Sequence, residues 1–239
     1  MKMKLSALFL SALIILSGCQ TIQNASNKAK IGTLGGVSGA AIGAIIGAIA
    51  GKGKGAAIGA AVGGVVGGGA GVLIGNKMDK AKKAAEMANA EAEIIKDQET
   101  GLSYVKVTFP SGLLFTTGSS VLSAQAKNDL ATFAKNLDSD MDLYIYGHTD
   151  NAPFKGLTAA QSHAKNQELS LNRANSVSTY LQANGLATGQ VKEIKGYGED
   201  SPVADNSTAA GKEQNRRVEV YVLPSQQMIE NAQKQAGTK

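Results

Sequence analysis

The order of apolar and polar positions divides the chain into four parts of different character. Lys2 and Lys4 precede a short apolar stretch that ends at Leu16, a pattern typical of a leader. Residues 34–75 contain almost only glycine and aliphatic side chains, and residues 76–100 carry many charges. Short alternating and helical patterns fill most of the remainder, which predicts one globular domain of about 120 residues.

Four stretches of the predicted domain, residues 101–223, are predicted to be strands, and apolar residues alternate with polar ones in the first, second and fourth of them. These strands contain Val105, Val107 and Phe109, then Leu143 and Ile145, then residues 191–195, then Val218, Val220 and Val222. Two helical patterns lie between them, with Ala126, Leu130, Phe133, Ala134 and Leu137 after a cap at Ser123, and Ala174, Val177 and Leu181 after a cap at Ser170. The order predicts an α+β fold of β-α-β-α-β-β topology, a mixed sheet with helices on one face. Residues 224–239 are predicted to be a C-terminal tail.

Glycine recurs at every fourth position from Gly35 to Gly75. Each glycine costs about 1 kcal/mol relative to alanine in an aqueous helix, so the pattern favours close helix packing in a membrane. A charged turn at residues 51–55 separates two helices of about 25 and 30 Å, near the thickness of a hydrocarbon core. The period predicts a glycine-zipper hairpin over residues 34–75; a flexible linker and a hairpin packed on a protein partner are the alternatives. The predicted contact positions are Gly39, Gly43, Gly47, Gly59, Gly63 and Gly67.

Residues 76–100 combine charges with apolar residues at helical spacing. The apolar positions are Met78, Ala81, Ala85, Ala88, Ala92 and Ile95. They predict a mostly solvated linker helix of about 36 Å, and a plain linker is the alternative.

Cys19 is the only cysteine, so an intrachain disulfide and a cysteine-rich metal site are excluded. The sequence Leu16-Ser17-Gly18-Cys19 resembles a bacterial lipobox. The resemblance implies that residues 1–18 are removed as a signal peptide, that Cys19 is acylated, and that residues 19–33 form a lipidated tether. Gln20 is not aspartate, which by analogy with enteric bacteria implies the outer membrane.

Charge and composition exclude several functional classes. The net charge of +5 falls to +3 when Lys2 and Lys4 are removed (5 − 2 = 3), and this weak, diffuse charge argues against nucleic acid as a partner. The chain has two histidines, and no Ser-His-Asp set, Cys-His pair or zinc cluster is evident. We therefore expect no catalytic residues, no metal and no cofactor.

Two charged side chains occupy places where ligands collect in α/β sheets. Asp150 directly follows the second predicted strand, and a cap at Ser170 would put Arg173 in the first turn of the second helix. The helix dipole, free backbone N–H groups and a bidentate guanidinium together favour a carboxylate there. Asp150 supplies an acceptor for an ammonium group, so the pair predicts a site for a zwitterion.

Several motifs taken in order resemble the OmpA-like peptidoglycan-binding domain. They are Gly147-His148-Thr149-Asp150, Leu169-Ser170-Leu171-Asn172-Arg173-Ala174, Gly196-Tyr197-Gly198-Glu199, Pro202, Asn206, Gly211 and Asn215-Arg216-Arg217-Val218-Glu219. The resemblance covers residues 102–223 and implies binding of the diaminopimelate residue of the cell-wall stem peptide. Diaminopimelate carries an ammonium and a carboxylate on one carbon at its free end. The stretch 151–165 is longer than in compact family members and resembles the flagellar stator branch.

The resemblance also implies a role for each site residue. Asp150 and Arg173 would hold the ammonium and the carboxylate, Asn166 would add a polar contact, Thr149 and the backbone of Leu169 would border the pocket, and Arg217 would line or brace it. Other interpretations stay open: Asp150 stabilises only its own turn, or Arg173 is a surface helix residue. Arg216 and Arg217 point to opposite faces of a strand, so one is expected to be a structural ion-pair partner. His148 is expected to be structural.

The leading hypothesis is a non-enzymatic lipoprotein that tethers the outer membrane to peptidoglycan, with its globular domain in the periplasm. The alternative is a membrane-active oligomer or envelope-stress component whose glycine-zipper segment inserts in or perturbs the membrane. In the alternative, the wall domain is only an anchor. Packing of glycine faces between copies would give a homo-oligomer in either case.

Overall fold

The computed structural model describes residues 69–97 and 101–237, in which five strands form one sheet of order β1-β2-β5-β3-β4. The strands are β1 Glu91–Lys96, β2 Ser103–Pro110, β3 Met141–Gly147, β4 Val191–Gly196 and β5 Arg217–Pro224. The helices are α1 Gly69–Met87, α2 Ser111–Leu114, α3 Ala124–Asn136, α4 Ala159–Ala183, α5 Ala209–Asn215 and α6 Gln226–Gly237. β3 and β4 are parallel and the other pairs are antiparallel. The predicted α+β class and mixed sheet are confirmed.

Alternation along the strands builds the main core between the sheet and a layer of helices. Val105, Val107 and Phe109 of β2 are buried, and the ring of Phe109 meets that of Phe133 in α3 edge-on, with centroids 5.8 Å apart. α4 packs against β3 and β4, α1 packs against β1 and β2, and α3 lies between the two helices. Ser123 caps α3 through its hydroxyl, as the sequence predicts.

The predicted linker helix is wrong beyond Met87, and α1 is not a solvated spacer. Its small apolar face is buried, and Lys77 and Lys80 form ion pairs with Asp138. The helix ends near Asn89, which adopts a left-handed φ of 54°. Residues 91–96 then pair antiparallel with β2, because the open edge of that strand outweighs the helical spacing of Ala92 and Ile95. The globular unit therefore includes α1 and β1, which lie before the predicted boundary at residue 101.

Two further boundaries differ from the prediction. Residues 226–237 form α6 instead of a tail, because Met228, Ile229 and Ala232 supply a buried apolar face that packs near α1. Within the described residues, none of the helices is both long and apolar enough to cross a bilayer. Residues 69–75, assigned by sequence to the glycine-zipper hairpin, form the first turns of α1. The rest of the hairpin with its six contact glycines, the leader and Cys19 lie outside the described residues.

The second predicted helix begins eleven residues earlier than its predicted cap at Ser170. Thr158 caps α4 in a capping box with Gln161, and Ser170 lies in the middle of the helix. The first turns carry no apolar stripe, so the hydrophobic pattern gave no sign of them. Arg173 therefore does not lie in a first turn, and neither the dipole nor the free N–H groups of a helix end act there.

Candidate functional site

The end of β3 carries the predicted carboxylate into a crowded polar region. Backbone bonds hold this end on both sides, from His148 N–H to Arg217 O (2.9 Å) and from Thr149 N–H to Gly198 O (2.8 Å). Asp150 follows and is 8% exposed. Its Oδ1 accepts from the Ala152 N–H at 3.0 Å, and its Oδ2 forms an ion pair with Arg216. Asp150 thus stabilises its own turn and also faces a guanidinium.

Arg173 reaches the same region from the middle of α4. It is 3% exposed, its Nε donates to Ser119 O at 3.0 Å, and its Cζ lies 5.2 Å from the centroid of the Phe115 ring. Burial lowers the pKa of Arg173 and the charge of Arg216 lowers it further, whereas Asp150 acts in the opposite direction. Arg216 also pairs directly with Asp150, so the two guanidiniums and the carboxylate lie in one region. The Arg173 side chain is therefore not an ordinary surface residue.

The terminal nitrogens of Arg173 remain available for a ligand. Within the described residues, neither Nη1 nor Nη2 has a hydrogen-bond partner, and neither is among the fully enclosed polar atoms without one. Two parallel N–H groups of this kind form the fork that binds a carboxylate. The contacts to Ser119 and Phe115 fix the orientation of the fork.

Arg216 and Arg217 differ in exposure and in partners: Arg216 lies beside Asp150, whereas Arg217 is buried in a bracing position, one of the two roles that the resemblance implies for it. Arg217 is buried, where its Nε donates to Glu219 Oε1 at 2.8 Å and its other nitrogens donate to the carbonyls of Asn215 and Ser201. It braces the loops beneath the site and has no free donor face. Arg216 is partly exposed and pairs with Asp150. The sequence set the two apart and the resemblance pointed to Arg217. The contact of Arg216 with Asp150 depends on strand register, which the sequence does not give.

The remaining predicted site residues divide into two groups. Asn166 and Thr149 are buried beside the end of β3, and the hydroxyl of Thr149 has no partner among the described residues. Asn166 Nδ2 donates to Glu199 Oε2 at 2.6 Å, a contact that the sequence did not indicate. Leu169 is half-buried within α4, so its backbone amide belongs to the helical ladder, and its bordering role stays a prediction.

A close approach of backbones sets the position of α4 over the strand ends. A Cβ on Gly147 would lie 2.0 Å from Ser170 O, and a Cβ on Gly196 would lie 2.5 Å from Leu171 N. The Ser170 hydroxyl donates to Gln167 O and accepts from the Gly198 N–H at 2.9 Å. Glycine at these positions lets α4 hold Asn166 and Arg173 against the strand ends.

A buried ionic network lies next to the site. Glu219 is fully buried between Arg217, the hydroxyl of Tyr221 at 2.9 Å and Lys106 at 3.3 Å, and His148 Nε2 lies 3.4 Å from its Oε2. Burial alone would raise the pKa of Glu219, but its contact with His148 and the charges of Arg217 and Lys106 outweigh burial and lower it. Burial lowers the pKa of His148. The network therefore holds a charged carboxylate and a neutral imidazole.

We expect the free energy of unfolding to fall as the pH drops from about 7 toward 4. Below the ordinary pKa of His148, 6.5, the unfolded chain binds a proton that the folded chain excludes. Below the ordinary pKa of Glu219, 4.5, the same holds for its carboxylate. The exposed His163 acts oppositely: Asp200 raises its pKa, so its stabilisation is present below 6.5 and is lost as the pH rises through the raised value. Urea unfolding across this range measures the trend.

The control for this pH dependence is His163→Asn, which removes the opposing contribution and should make the loss of stability in acid steeper. A free energy of unfolding that is constant or rises toward acid pH would show that the network does not hold these protonation states.

Other places in the described residues offer less chemistry. The small cavity lined by Gly71, Ile74, Gly75, Lys96 and residues 101–103 contains none of the predicted site residues. Within the described part of the chain, no cluster of His, Cys, Asp and Glu has the arrangement of a metal site. The polar region around Asp150 and Arg173 is therefore the candidate site.

Comparisons with known proteins find matches over the part of the chain that contains this region. Residues 114–216 match the model of the OmpA family, and residues 1–79 match that of the YMGG-like Gly-zipper. The chain is 36% identical over 114 residues to outer-membrane lipoprotein YfiB of Pseudomonas aeruginosa, covering 47% of this chain and 62% of the relative. It is 33% identical over 158 residues to motility protein B of Bacillus subtilis, covering 61% and 59%.

A solved structure shows the same fold. The crystal structure of a MotB-like protein from Desulfovibrio vulgaris aligns with a TM-score of 0.51 at 22% identity, over 65% of this chain and 96% of that one. The chain spans about three fifths of the length of the two curated relatives.

Proposed function

We propose that this chain, whose residues 114–216 are an OmpA family domain, tethers the outer membrane to peptidoglycan by binding the diaminopimelate of stem peptides. The observation that carries the proposal is that the Asp150 carboxylate, which pairs with Arg216, shares one polar region with Arg173, whose terminal nitrogens have no partner among the described residues. The two groups have opposite charge, are held on separate elements, and are both largely buried.

The free end of diaminopimelate matches the site in charge. Its carboxylate would accept from the two terminal nitrogens of Arg173, and its ammonium would donate to Asp150. In the ligand-free protein Arg216 occupies the Asp150 oxygen that the ammonium needs. Binding would exchange this partly exposed guanidinium for the ammonium and leave Arg216 next to the ligand carboxylate. The unpartnered Thr149 hydroxyl offers a further contact.

The membrane end of the tether rests on the lipobox and the glycine period. The match of residues 1–79 to a Gly-zipper family and the similarity to a lipoprotein named for the outer membrane support it. One acyl chain gives only marginal binding, so stable anchoring needs several chains on Cys19 or the glycine segment as well. Because α1 packs on the domain, the reach between membrane and wall belongs to the residues before Gly69.

The proposal is tested by the full acylated chain in detergent with two kinds of purified peptidoglycan. Diaminopimelate-type wall should co-sediment with the protein. Lysine-type wall lacks the second carboxylate and should bind about ten- to a hundredfold more weakly, because a charge-assisted hydrogen bond is lost. Equal binding to both would contradict recognition of the zwitterion.

The Gly-zipper match also supports the second candidate, a membrane-active oligomer. We expect Gly43→Leu and Gly63→Leu to disrupt crosslinking between helices and resistance to membrane extraction, because larger side chains keep helices apart. Ile45→Leu is the matched control and should change neither. Wall binding should persist in all three variants, since the wall domain does not use these residues. If the leucine variants crosslink and resist extraction like the parent, the segment is a linker.

Liposome dye release separates the two functions. Release by the parent chain that is lost in Gly43→Leu would favour the membrane-active oligomer. A parent chain that binds liposomes without releasing dye favours the tether.

A further inference from the structure

Asn166 lies at the site with one half of its amide bound and the other half free. Nδ2 donates to Glu199 Oε2 at 2.6 Å. Oδ1 has no hydrogen-bond partner among the described residues. Asn166 is 3% exposed, yet Oδ1 is not among the fully enclosed atoms that lack a partner. The little surface that Asn166 exposes therefore includes this oxygen.

The loop that carries Glu199 is fixed on three sides. Gly198 accepts from the Thr149 N–H and donates to the Ser170 hydroxyl, and Gln167 Nε2 donates to Tyr197 O at 3.0 Å. Gly198 adopts a left-handed φ of 53° that lets the loop turn against α4. Glu199 is thus set beside Asn166 by contacts that do not depend on the Asn166–Glu199 bond itself.

A carboxylate decides which way an asparagine amide faces. The oxygen and nitrogen of the amide have nearly the same size, so hydrogen-bond partners select between the two orientations. An ionised glutamate only accepts, and it therefore requires the NH2 side of Asn166. Without Glu199 the amide is free to turn and to present its NH2 group, which repels an ammonium.

The free oxygen also lies on the correct side of α4. Asn166, Ser170 and Arg173 follow at spacings of four and three residues, so they share one face of the helix. Ser170 on this face contacts the loop next to Thr149, and Arg173 is coupled to Asp150. The charged groups around this face are Asp150, Arg173, Arg216 and Glu199.

We propose that Glu199 is a positioning residue that makes the site selective for a free, protonated amine, by turning the Asn166 amide so that Oδ1 accepts from the ligand ammonium. The proposal rests on the proposed function and deepens it. Asp150 and Asn166 together would supply two acceptors to the ammonium, whereas an acylated amine is neutral and keeps one N–H. The ligand class is an amino acid end with a free amine next to a free carboxylate.

The test uses calorimetry on the full chain in detergent with the tripeptide L-Ala-γ-D-Glu-meso-diaminopimelate. The second ligand is the same tripeptide acetylated on the amine at the free end of its diaminopimelate residue. In Glu199→Ala we expect affinity for the free-amine tripeptide to fall about five- to tenfold, the size of one hydrogen bond, and affinity for the acetylated one to change little. Glu199→Gln should retain most of the selectivity, because its amide oxygen still accepts from Nδ2. Glu168→Ala, on an exposed glutamate of the same helix, is the matched control.

Two results show whether Glu199 acts through Asn166. Asn166→Ala should lose the same selectivity, and adding Glu199→Ala to it should cause no further loss. The side-chain amide resonance of Asn166 should shift in Glu199→Ala without any ligand, which reports its orientation directly. Equal loss for both tripeptides, additive losses, or an unmoved Asn166 resonance would each overturn the proposal. If the parent chain binds neither tripeptide while the resonance does shift, the proposed function fails and only the orienting role of Glu199 remains.

Discussion

Replacing Arg173 with alanine is expected to weaken binding of the diaminopimelate tripeptide by about ten- to a hundredfold or more. The change removes the guanidinium whose terminal nitrogens lack partners in the described part of the chain and whose remaining contacts orient it. Asp150→Ala should cause a loss of similar size, because the ammonium then has no carboxylate. Arg173→Lys should also bind weakly, since a point charge does not replace a planar fork. Calorimetry on the full chain measures all three.

The matched control is Lys165→Ala, which removes a positive charge from the exposed side of the same helix, where Lys165 pairs with Glu168. It should bind like the parent chain. Thermal unfolding of each variant separates lost contacts from lost fold. Unchanged affinity in folded Arg173→Ala and Asp150→Ala would remove both residues from the site.

Gly147→Ala is expected to destabilise the domain by about 3 kcal/mol, near the upper end for overpacking. The new Cβ would lie 2.0 Å from Ser170 O. Because this oxygen belongs to the backbone of α4 and the Cβ is attached directly to the backbone of β3, the strand end and α4 must separate. Because α4 carries Asn166 and Arg173, affinity for the tripeptide should fall as well. Urea unfolding and calorimetry of the same sample report the two effects.

Gly75→Ala is the matched control for this substitution. Gly75 lies in α1, and apart from the adjacent helix backbone no atom of the described residues lies within 4 Å of its added Cβ. Alanine there should stabilise the domain by about 0.5–1 kcal/mol through the ordinary helix preference. A Gly147→Ala protein as stable as the parent would show that the close approach does not position α4.

The alternation of Val105, Val107 and Phe109 was enough to predict β2, because one face of that strand packs on helices and the other does not. The same alternation placed β3 and β5, whereas β4 was predicted from residues 191–195 without a regular alternation. The alternation rule failed at β1, where the apolar spacing of residues 76–100 runs on without a break across a change from helix to strand. The left-handed backbone of Asn89 and the free edge of β2 are features of the tertiary structure, so the periodicity of the sequence could not indicate them.

The start of α4 was missed for a reason connected with function. Its buried face in the first turns consists of Ser162, Asn166 and Ser170. These side chains are polar because they meet loops instead of an apolar core: Ser162 accepts from the Phe154 N–H, and Asn166 and Ser170 bond to the loop at residues 197–200. A hydrophobic pattern therefore cannot detect this part of the helix, whereas the Thr158–Gln161 capping box was visible in the sequence.

The candidate site could likewise be predicted from the sequence only in part. Motif order led to the prediction of Asp150 and Arg173, and both side chains lie in one polar region even though the helix-end argument for Arg173 was wrong. Arg216 and Glu199 could not be assigned to the site, since their roles depend on register and on how one loop turns at Gly198.

The most direct test of zwitterion recognition combines two protein changes with two ligand changes in one calorimetric series. The ligands are the tripeptide and two derivatives of it. One derivative is acetylated on the amine at the free end of diaminopimelate, and the other is amidated on the carboxylate of the same carbon. In Arg173→Lys we expect amidation of the ligand to cause little further loss of affinity, whereas acetylation should cause the same loss as in the parent chain. In Asp150→Asn we expect acetylation to cause little further loss and amidation to cause the parent's loss. Penalties that stay the same in both variants would contradict the assignment of the carboxylate to Arg173 and of the ammonium to Asp150.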